Sequence, residues 1–272
     1  MNNSTAGQTP PSSTLRSGGP GSVVPWQSLG NEGRDFVSSG PSPSQIQTVT
    51  QRPALEPIRI YTGLESANSL QDQANLALED LKRAGGLKRK AIIVYTPSTN
   101  GLVDPTASEA AEYVMGGDVT SVSMQYTVLP SFLSIMLSQS TSLDSGTILF
   151  QTVRNAIDEL PVSARPKLYV YGESLGAFGS QAPFTNLGIE GLTNQADGAL
   201  WAGPPANSAY WQQISAMSTS GPTWAPIVED GSVIRFAANE AGLAQPPSVW
   251  GPKRGVFLQN ATDAVVWWSP NL

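Results

Sequence analysis

The sequence predicts an α/β fold with a doubly wound, mostly parallel sheet, and three observations lead to this class. Short apolar runs with the composition of strands alternate with amphipathic runs of helical periodicity, which is the pattern of βαβ crossovers. The run Ala91–Thr96 is too uniformly apolar for an exposed edge strand. A Gly-x-Ser-x-Gly sequence at residues 172–176 stands between a strand-like run and a helix-like run. The 272 residues suffice for one large domain of this class.

Two segments precede this domain in the predicted organisation. Most of residues 1–22 are Ser, Thr, Gly or Pro, and such a segment buries too little surface to offset its ordering entropy, so we expect a disordered linker. Residues 23–56 contain scattered apolar anchors such as Trp26 and Phe36 without a long periodic run. They predict an N-terminal arm with one or two short helices that lies over the domain, which spans residues 57–272.

The elements of the domain follow in regular order. Strand-like runs cover residues 58–64, 91–96, 121–127, 167–171, 198–202, 232–237 and 255–259, and helix-like runs cover residues 70–83, 105–115, 145–160 and 175–184. In the first helix, Leu70, Ala74 and Leu81 share one apolar face. Asn68 or Ser69 can cap its first turn, and the Gly-Gly pair that follows stops it.

Composition excludes several kinds of chemistry. The net charge of −6 and the pI of about 4.7 give no electrostatic footprint for nucleic acid. The chain has no cysteine and no histidine, so a metal could find only oxygen ligands, and no carboxylate run has EF-hand spacing. We therefore expect no metal and no cofactor. No run reaches the roughly 18 apolar residues of a membrane span, so this chain is expected to be soluble.

The Gly-x-Ser-x-Gly sequence is the strongest indication of chemistry. Between a strand and a helix, this motif is the nucleophile elbow of α/β-hydrolases, in which the glycines permit a sharp turn that exposes the hydroxyl of Ser174. The alternative is a Gly-rich turn with an exposed serine, which arises readily by chance in such a composition. In an elbow, the N–H of Leu175 would be one donor to a developing oxyanion. Residues 97–101 would supply the other, with Ser98 or Thr99 as candidates, unless they form an ordinary loop.

A serine nucleophile also needs a base and an acid that orients the base. Since the usual base is histidine, the sequence presents the nucleophile without its partner. For the acid we favour Asp263, because it follows the last predicted strand and so lies at a carboxyl end. Asp197 and Asp230 are competitors, but the first precedes its strand and the second belongs to an Asp-Gly turn. A loop aspartate is also a common turn former.

Motifs spread along the chain resemble those of one protein family. They read SGGP at residues 17–20, LG and GRDFV within 29–37, EPIRIY at 56–61, GESLG at 172–176, GALWAGPP at 198–205 and DAVVWWSP at 263–270. The family consists of bacterial α/β-hydrolase proteins, common in actinobacteria, with an N-terminal multi-span membrane region before this domain. The resemblance covers about residues 17–272. It implies an α/β-hydrolase fold, a serine-hydrolase site, a small ester or lipid-like substrate, and membrane association of the full-length protein.

Two departures from the family bear on activity. Family members often have histidine where this chain has Asn260, and they continue past the segment that ends here at Leu272 with a stretch that contains a further histidine. Fold order places the catalytic histidine in that later stretch. We therefore expect a truncated serine hydrolase that is inactive for lack of the histidine. The alternative is a degenerate hydrolase scaffold that serves as a binding module or as part of a membrane complex.

The tryptophans and two irregular segments could shape the site. Trp267 and Trp268 follow the candidate acid and could line an acyl pocket or meet a membrane, although packing in the core or a lid is the favoured interpretation. Residues 207–224 interrupt the α/β alternation where hydrolases insert a lid. Residues 129–137 could lie over the same site.

Overall fold

The structure is a computed structural model that describes residues 8–129, 139–245, 248–264 and 266–267. Seven strands form the main sheet: Ile58–Thr62 (β1), Ala91–Thr96 (β2), Val119–Met124 (β3), Lys167–Glu173 (β4), Gly198–Ala202 (β5), Ile234–Ala237 (β8) and Arg254–Leu258 (β9). Their order in the sheet is β1-β3-β2-β4-β5-β9-β8, and each pair of neighbours is parallel. A separate antiparallel ribbon pairs Ser218–Ser220 (β6) with Ile227–Val228 (β7). The predicted α/β class is confirmed.

Two of the described α-helices precede β1, and the others lie in the connections between strands. In chain order, the helices are Gly30–Ser38 (α1), Pro43–Thr50 (α2), Leu70–Arg83 (α3), Pro105–Val114 (α4), Gln139–Asp158 (α5), Leu175–Gln181 (α6), Gly188–Gln195 (α7), Ala209–Ser215 (α8) and Glu240–Leu243 (α9). Helix α3 begins as its sequence predicts, because the side chain of Ser69 accepts the N–H of Asp72. Among the described residues, no helix is both long and apolar enough to cross a membrane.

Both faces of the sheet are covered where β1, β3 and β2 lie, because successive side chains of a strand point to opposite faces. Ile92 and Val94 of β2 join the larger core cluster with residues of α3 and α5. Ile93 and Tyr95 join a second cluster with residues of α1. This two-sided burial explains why nearly every position of β2 is apolar and why its sequence shows no polar alternation.

Helix α5 starts earlier than the sequence predicts. We expected it to begin near residue 145, but the helix already covers Gln139, where the described residues resume, and so includes Gly146 in its interior. A Cβ atom on Gly146 would collide with the carbonyl oxygen of Gly179 in α6, so close packing of two helices is the reason for a glycine there. In the sequence, Gly146 indicates only a residue that disfavours a helix, and nothing near it indicates the contact with Gly179. Residues 130–138, which include most of the proposed cover at 129–137, lie outside the described residues.

The prediction of a disordered segment is corrected for residues 8–22. Ser17 is fully buried, and its hydroxyl donates to Oδ2 of Asp80 over 2.6 Å. Arg16 donates to the carbonyl of Val37 over 2.9 Å and pairs with Glu56. Composition misjudged this segment because its polar side chains have specific partners inside the domain, and these partners cannot be read from the segment itself. Residues 1–7 lie outside the described residues.

Residues 23–56 carry a short 3₁₀ helix, Trp26–Leu29, followed by α1 and α2. Leu29 and Phe36 are buried against the sheet. A hydrogen bond from a buried ion pair connects this arm with the domain: Arg59 of β1 binds Glu112 of α4, and its guanidinium also donates to the carbonyl of Phe36 in α1. The arm is therefore fixed to the sheet by polar as well as apolar contacts.

Candidate active site

Ser174 occupies a sharp turn at the centre of the sheet. It follows β4, the fourth of the seven strands, and immediately precedes α6. Its backbone angles, φ 52° and ψ −120°, lie where non-glycine residues are rare. Its N–H donates to the carbonyl of Ala202 at the end of β5 over 2.8 Å. This strained strand-to-helix turn is the geometry that the Gly-x-Ser-x-Gly pattern predicts.

The two glycines of the motif permit this turn through close packing. A Cβ atom on Gly172 would collide with the carbonyl oxygen of Gly176, and one on Gly176 would collide with that of Thr96. The start of α6 is thereby pressed against the end of β2. As a result, the loop that follows β2 lies next to the elbow, where an oxyanion hole requires it.

Leu175 is the first residue of α6, so its N–H has no partner within the helix. The side chain of Leu175 is buried, and its carbonyl accepts the hydroxyl of Ser142 in α5 over 3.1 Å. Helix α6 is thus held from behind while its N-terminus faces the carboxyl edge of the sheet. This is the orientation in which a helix N-terminus stabilises negative charge.

The hydrogen bonds of the loop after β2 distinguish between Ser98 and Thr99, the two candidates for the second oxyanion donor. The N–H of Ser98 already donates to the carbonyl of Leu102 over 2.9 Å, and Leu102 donates back to Ser98 over the same distance. The N–H of Thr99 takes no part in this pair, and Thr99 has a φ of 48° at the tip of the loop. Thr99 is therefore the better candidate, and the backbone of Ser98 closes the loop.

Asp263 lies on the same edge of the sheet as Ser174. The N–H of Gly203, which follows β5, donates to the carbonyl of Leu258 at the end of β9. A Cβ atom on Gly203 would be 4.0 Å from Oδ2 of Asp263. Asp263 is half-buried, and its Oδ1 accepts the N–H of Val266 over 3.3 Å. The carboxylate of Asp263 is thus held beside Gly203, which directly follows β5, the strand that pairs with β4.

The two competing aspartates lie at the opposite edge. Asp197 accepts the N–H of Leu168 over 2.9 Å and binds Lys167, both at the beginning of β4. Asp230 precedes β8, is fully exposed, and its carboxylate accepts the N–H of Ser232. Since the strands are parallel, neither carboxylate shares the carboxyl edge with Ser174.

One polar residue at this edge has no counterpart in the sequence-based prediction. Gln125, directly after β3, is buried, and its side chain connects three loops. It accepts the N–H of Leu64, and it donates to the carbonyls of Asn100 and Thr127. A lone glutamine after a strand has no distinctive pattern, so only the fold shows that it organises the edge. Within the described ranges, no group of three or more His, Cys, Asp or Glu residues could hold a metal ion.

Glu173, the residue before Ser174, has a perturbed carboxyl group. Burial, with a smaller contribution from the charge of Asp104, raises the pKa of Glu173 above its ordinary value. Asp104 is held in place as the N-cap of α4, where its Oδ1 accepts the N–H of Ala107 over 2.6 Å. The charged form of Glu173 is therefore less favourable in the folded protein than in the unfolded chain.

We expect the substitution Glu173→Gln to increase stability at pH 7 and to lose this benefit near pH 4. Below the ordinary pKa of about 4.3, Glu173 is protonated in both states and resembles glutamine. As the pH rises through the raised pKa of the folded state, the wild-type protein loses stability that the variant retains. Thermal unfolding at the two pH values measures the difference, with the exposed Glu79→Gln as the control for losing one charge. An equal gain at both pH values would contradict the account.

The chain belongs to an alpha/beta-hydrolase family. The family model of the hydrolase domain matches residues 58–272, and the model of the family's N-terminus matches residues 2–41. The family assignment and the parallel sheet together establish the predicted α/β-hydrolase fold. No curated protein is similar enough in sequence to count as a relative.

Solved structures of low sequence identity resemble the chain. An acetylxylan esterase determined at 0.90 Å resolution is 15% identical, with 65% of this chain and 84% of that chain covered and a TM-score of 0.36. A Trichoderma reesei cutinase in complex with a C11Y4 phosphonate inhibitor is 11% identical, with 83% and 86% covered and a TM-score of 0.37. These similarities do not bear on the substrate.

Proposed function

We propose that this protein is the catalytic domain of a serine hydrolase that cleaves esters through an acyl-enzyme. The observation that carries the proposal is the strained backbone of Ser174 between β4 and α6. A non-glycine residue in this region costs of order 1–3 kcal/mol, and such strain persists where it serves a site. Membership of an alpha/beta-hydrolase family supports the same role.

In the proposed mechanism, the Oγ of Ser174 attacks the ester carbonyl carbon while a base removes its proton. The carbonyl oxygen becomes an oxyanion that accepts hydrogen bonds from the N–H groups of Leu175 and Thr99. Collapse of this intermediate breaks the bond to the alcohol, which leaves with the proton from the base. Water then attacks the acyl-enzyme by the same steps and releases the acid. Asp263 would orient the base and stabilise its charged form.

The base has to come from outside these residues, because the chain contains no histidine. We infer that an imidazole group enters between Ser174 and Asp263 at the carboxyl edge of the sheet. Without it, the oxyanion hole and substrate binding alone would retain only ~10³–10⁴-fold acceleration over water. The 272-residue chain should therefore hydrolyse esters slowly or not at all.

Free imidazole added to the 272-residue chain should restore part of the activity. We expect hydrolysis of p-nitrophenyl acetate to rise with imidazole concentration beyond the rate in protein-free solution, because the small base can occupy the position of the missing side chain. The Ser174→Ala variant measures the background at each concentration and should show no such gain. Identical rates for the two proteins would argue against the nucleophile.

The alternative function is a hydrolase scaffold without catalysis that binds a ligand or a partner. The lack of histidine is the observation that favours it. This alternative predicts that imidazole gives no Ser174-dependent hydrolysis and that a longer form of the protein supplies no base either.

We also propose that the full-length protein is associated with a bacterial membrane, in an actinobacterium, through a region not included in these residues. The support is the family resemblance and the match of residues 2–41 to the family's N-terminal model. Recovery of the longest natural form in the soluble fraction after cell lysis would contradict this proposal.

A further inference from the structure

Helix α1 of the N-terminal arm forms a hydrogen bond with the loop that would supply the second oxyanion donor. Nδ2 of Asn100 donates to Oε1 of Glu32 over 3.0 Å. Oγ1 of Thr99 donates to Oδ1 of Asn100 over 2.7 Å. A continuous hydrogen-bonded chain therefore runs from the arm's carboxylate to the residue at the tip of the loop. All three side chains are half-buried, so water weakens these bonds less than it would at an open surface.

A second connection between α1 and the same loop passes through Tyr61 of β1. A Cβ atom on Gly33 of α1 would collide with the ring of Tyr61, so the helix backbone packs directly on this ring. The hydroxyl of Tyr61 donates to the carbonyl of Gly101 over 2.8 Å. Burial, with a smaller contribution from the charge of Glu32, raises the pKa of Tyr61 well above its ordinary value. The hydroxyl therefore keeps its proton and remains a donor at neutral pH.

The loop needs such external contacts because its own conformation is strained. Thr99 is β-branched and has a φ of 48°, a combination that occurs only where the surroundings enforce it. Gly101 has a φ of 113°, and a Cβ atom there would collide with the hydroxyl of Tyr61. Backbone bonds from Gly101 and Leu102 to the carbonyl of Ser98 close the loop, and Gln125 holds the carbonyl of Asn100. The side chain of Asn100, which accepts the hydroxyl of Thr99, is held by Glu32.

We propose that Glu32 is a positioning residue that fixes the orientation of Thr99 through Asn100, and that the arm helix α1 is thereby a working part of the active site. The inference rests on the proposed function. A donor that is held in place before the reaction stabilises the oxyanion without reorganisation, whereas a loose donor must first be ordered. Loss of the contact should lower the rate of the chemical step and leave substrate binding unchanged.

Three variants of the 272-residue chain test this role. Glu32→Ala removes the acceptor of Asn100, Glu32→Gln retains a carbonyl oxygen at the same position, and Glu79→Ala removes an exposed helical carboxylate of α3 as the control. With p-nitrophenyl acetate and a fixed concentration of imidazole, we expect kcat of Glu32→Ala to fall by roughly 10-fold at unchanged KM. This is less than the ~10²–10³-fold loss that follows complete removal of an oxyanion donor. Glu32→Gln should stay close to wild type.

Hydrogen exchange at residues 98–102, followed by mass spectrometry, gives a readout that does not depend on activity. Faster exchange in Glu32→Ala than in Glu32→Gln and Glu79→Ala, together with the lower kcat, would support the proposal. Unchanged exchange would show that Glu32 does not hold the loop, and faster exchange at unchanged kcat would show that the loop's position does not matter for the reaction. Either result would overturn the inference while leaving Ser174 as the nucleophile. A wild-type chain inactive with imidazole would instead overturn the proposed function and the inference together.

Discussion

A form of this protein that carries a histidine after strand β9 should hydrolyse a p-nitrophenyl ester roughly 10²–10⁴-fold faster than the 272-residue chain, the range that a positioned general base contributes. The physical reason is the state of Ser174, whose neutral hydroxyl is a poor nucleophile until a neighbouring group accepts its proton. The sheet already brings Ser174 and Asp263 to one edge, so the base is the part that these residues lack.

The comparison requires kcat/KM for both forms and for each with Ser174→Ala. We expect this substitution to remove the gain entirely from the longer form and to change the short chain little. Brisk, Ser174-dependent hydrolysis by the 272-residue chain without added imidazole would show that another base exists. An inactive longer form with intact folding would favour the binding scaffold.

The second large effect concerns the buried pair of Arg59 and Glu112. Both side chains are fully buried, and two parallel hydrogen bonds of 2.7 and 2.8 Å join them. The guanidinium also donates to the carbonyl of Phe36 and lies 4.9 Å from the centre of its ring. We expect Glu112→Leu alone to lower the free energy of unfolding by about 3–5 kcal/mol, because it leaves a buried charge without its partner.

Urea unfolding of two further proteins separates this cause from simple loss of packing. The double variant Arg59→Met with Glu112→Leu should regain most of the loss, because it removes both charges and retains apolar volume. Asp158→Asn breaks the partly exposed pairs with Arg154 and Arg165 and should cost below about 1 kcal/mol. A double variant as unstable as Glu112→Leu alone would contradict the electrostatic explanation. The explanation would also be contradicted if Glu112→Leu lowered the free energy of unfolding by no more than Asp158→Asn does.

Local sequence predicted the parts of the fold whose cause is local. Strand β5 matches its predicted bounds because a short apolar run in an α/β domain is typical of a strand that is buried on both faces of a parallel sheet. The turn at Ser174 was predictable because two glycines at fixed spacing are needed for it. Asp263 was assigned to the edge of Ser174 from the order of the strands alone, and its place beside Gly203 follows from β9 pairing with β5.

Features that depend on distant partners escaped the sequence. Arg59 stands in a strand pattern as an ordinary alternating charge, yet its partner Glu112 lies on a helix far along the chain. Ser17 likewise has an ordered position because it binds Asp80, a residue far along the chain. The sequence does not show whether Ser98 or Thr99 is the better candidate for the second oxyanion donor, and only the hydrogen bonds of the loop distinguish the two. The link from Glu32 to Asn100 joins the N-terminal arm to the loop after β2, two segments that no sequence pattern connects.

The central claim is that Ser174 is a nucleophile poised for an absent base, and covalent labelling tests it most directly. The 272-residue chain is treated with a fluorophosphonate in the presence and absence of imidazole, and the modified residue is located by peptide mass spectrometry. We expect one phosphonyl group per chain on Ser174, formed much faster with imidazole, and no labelling of Ser174→Ala. Labelling spread over other hydroxyl groups, or an equal rate in the Ser174→Ala variant, would contradict the account.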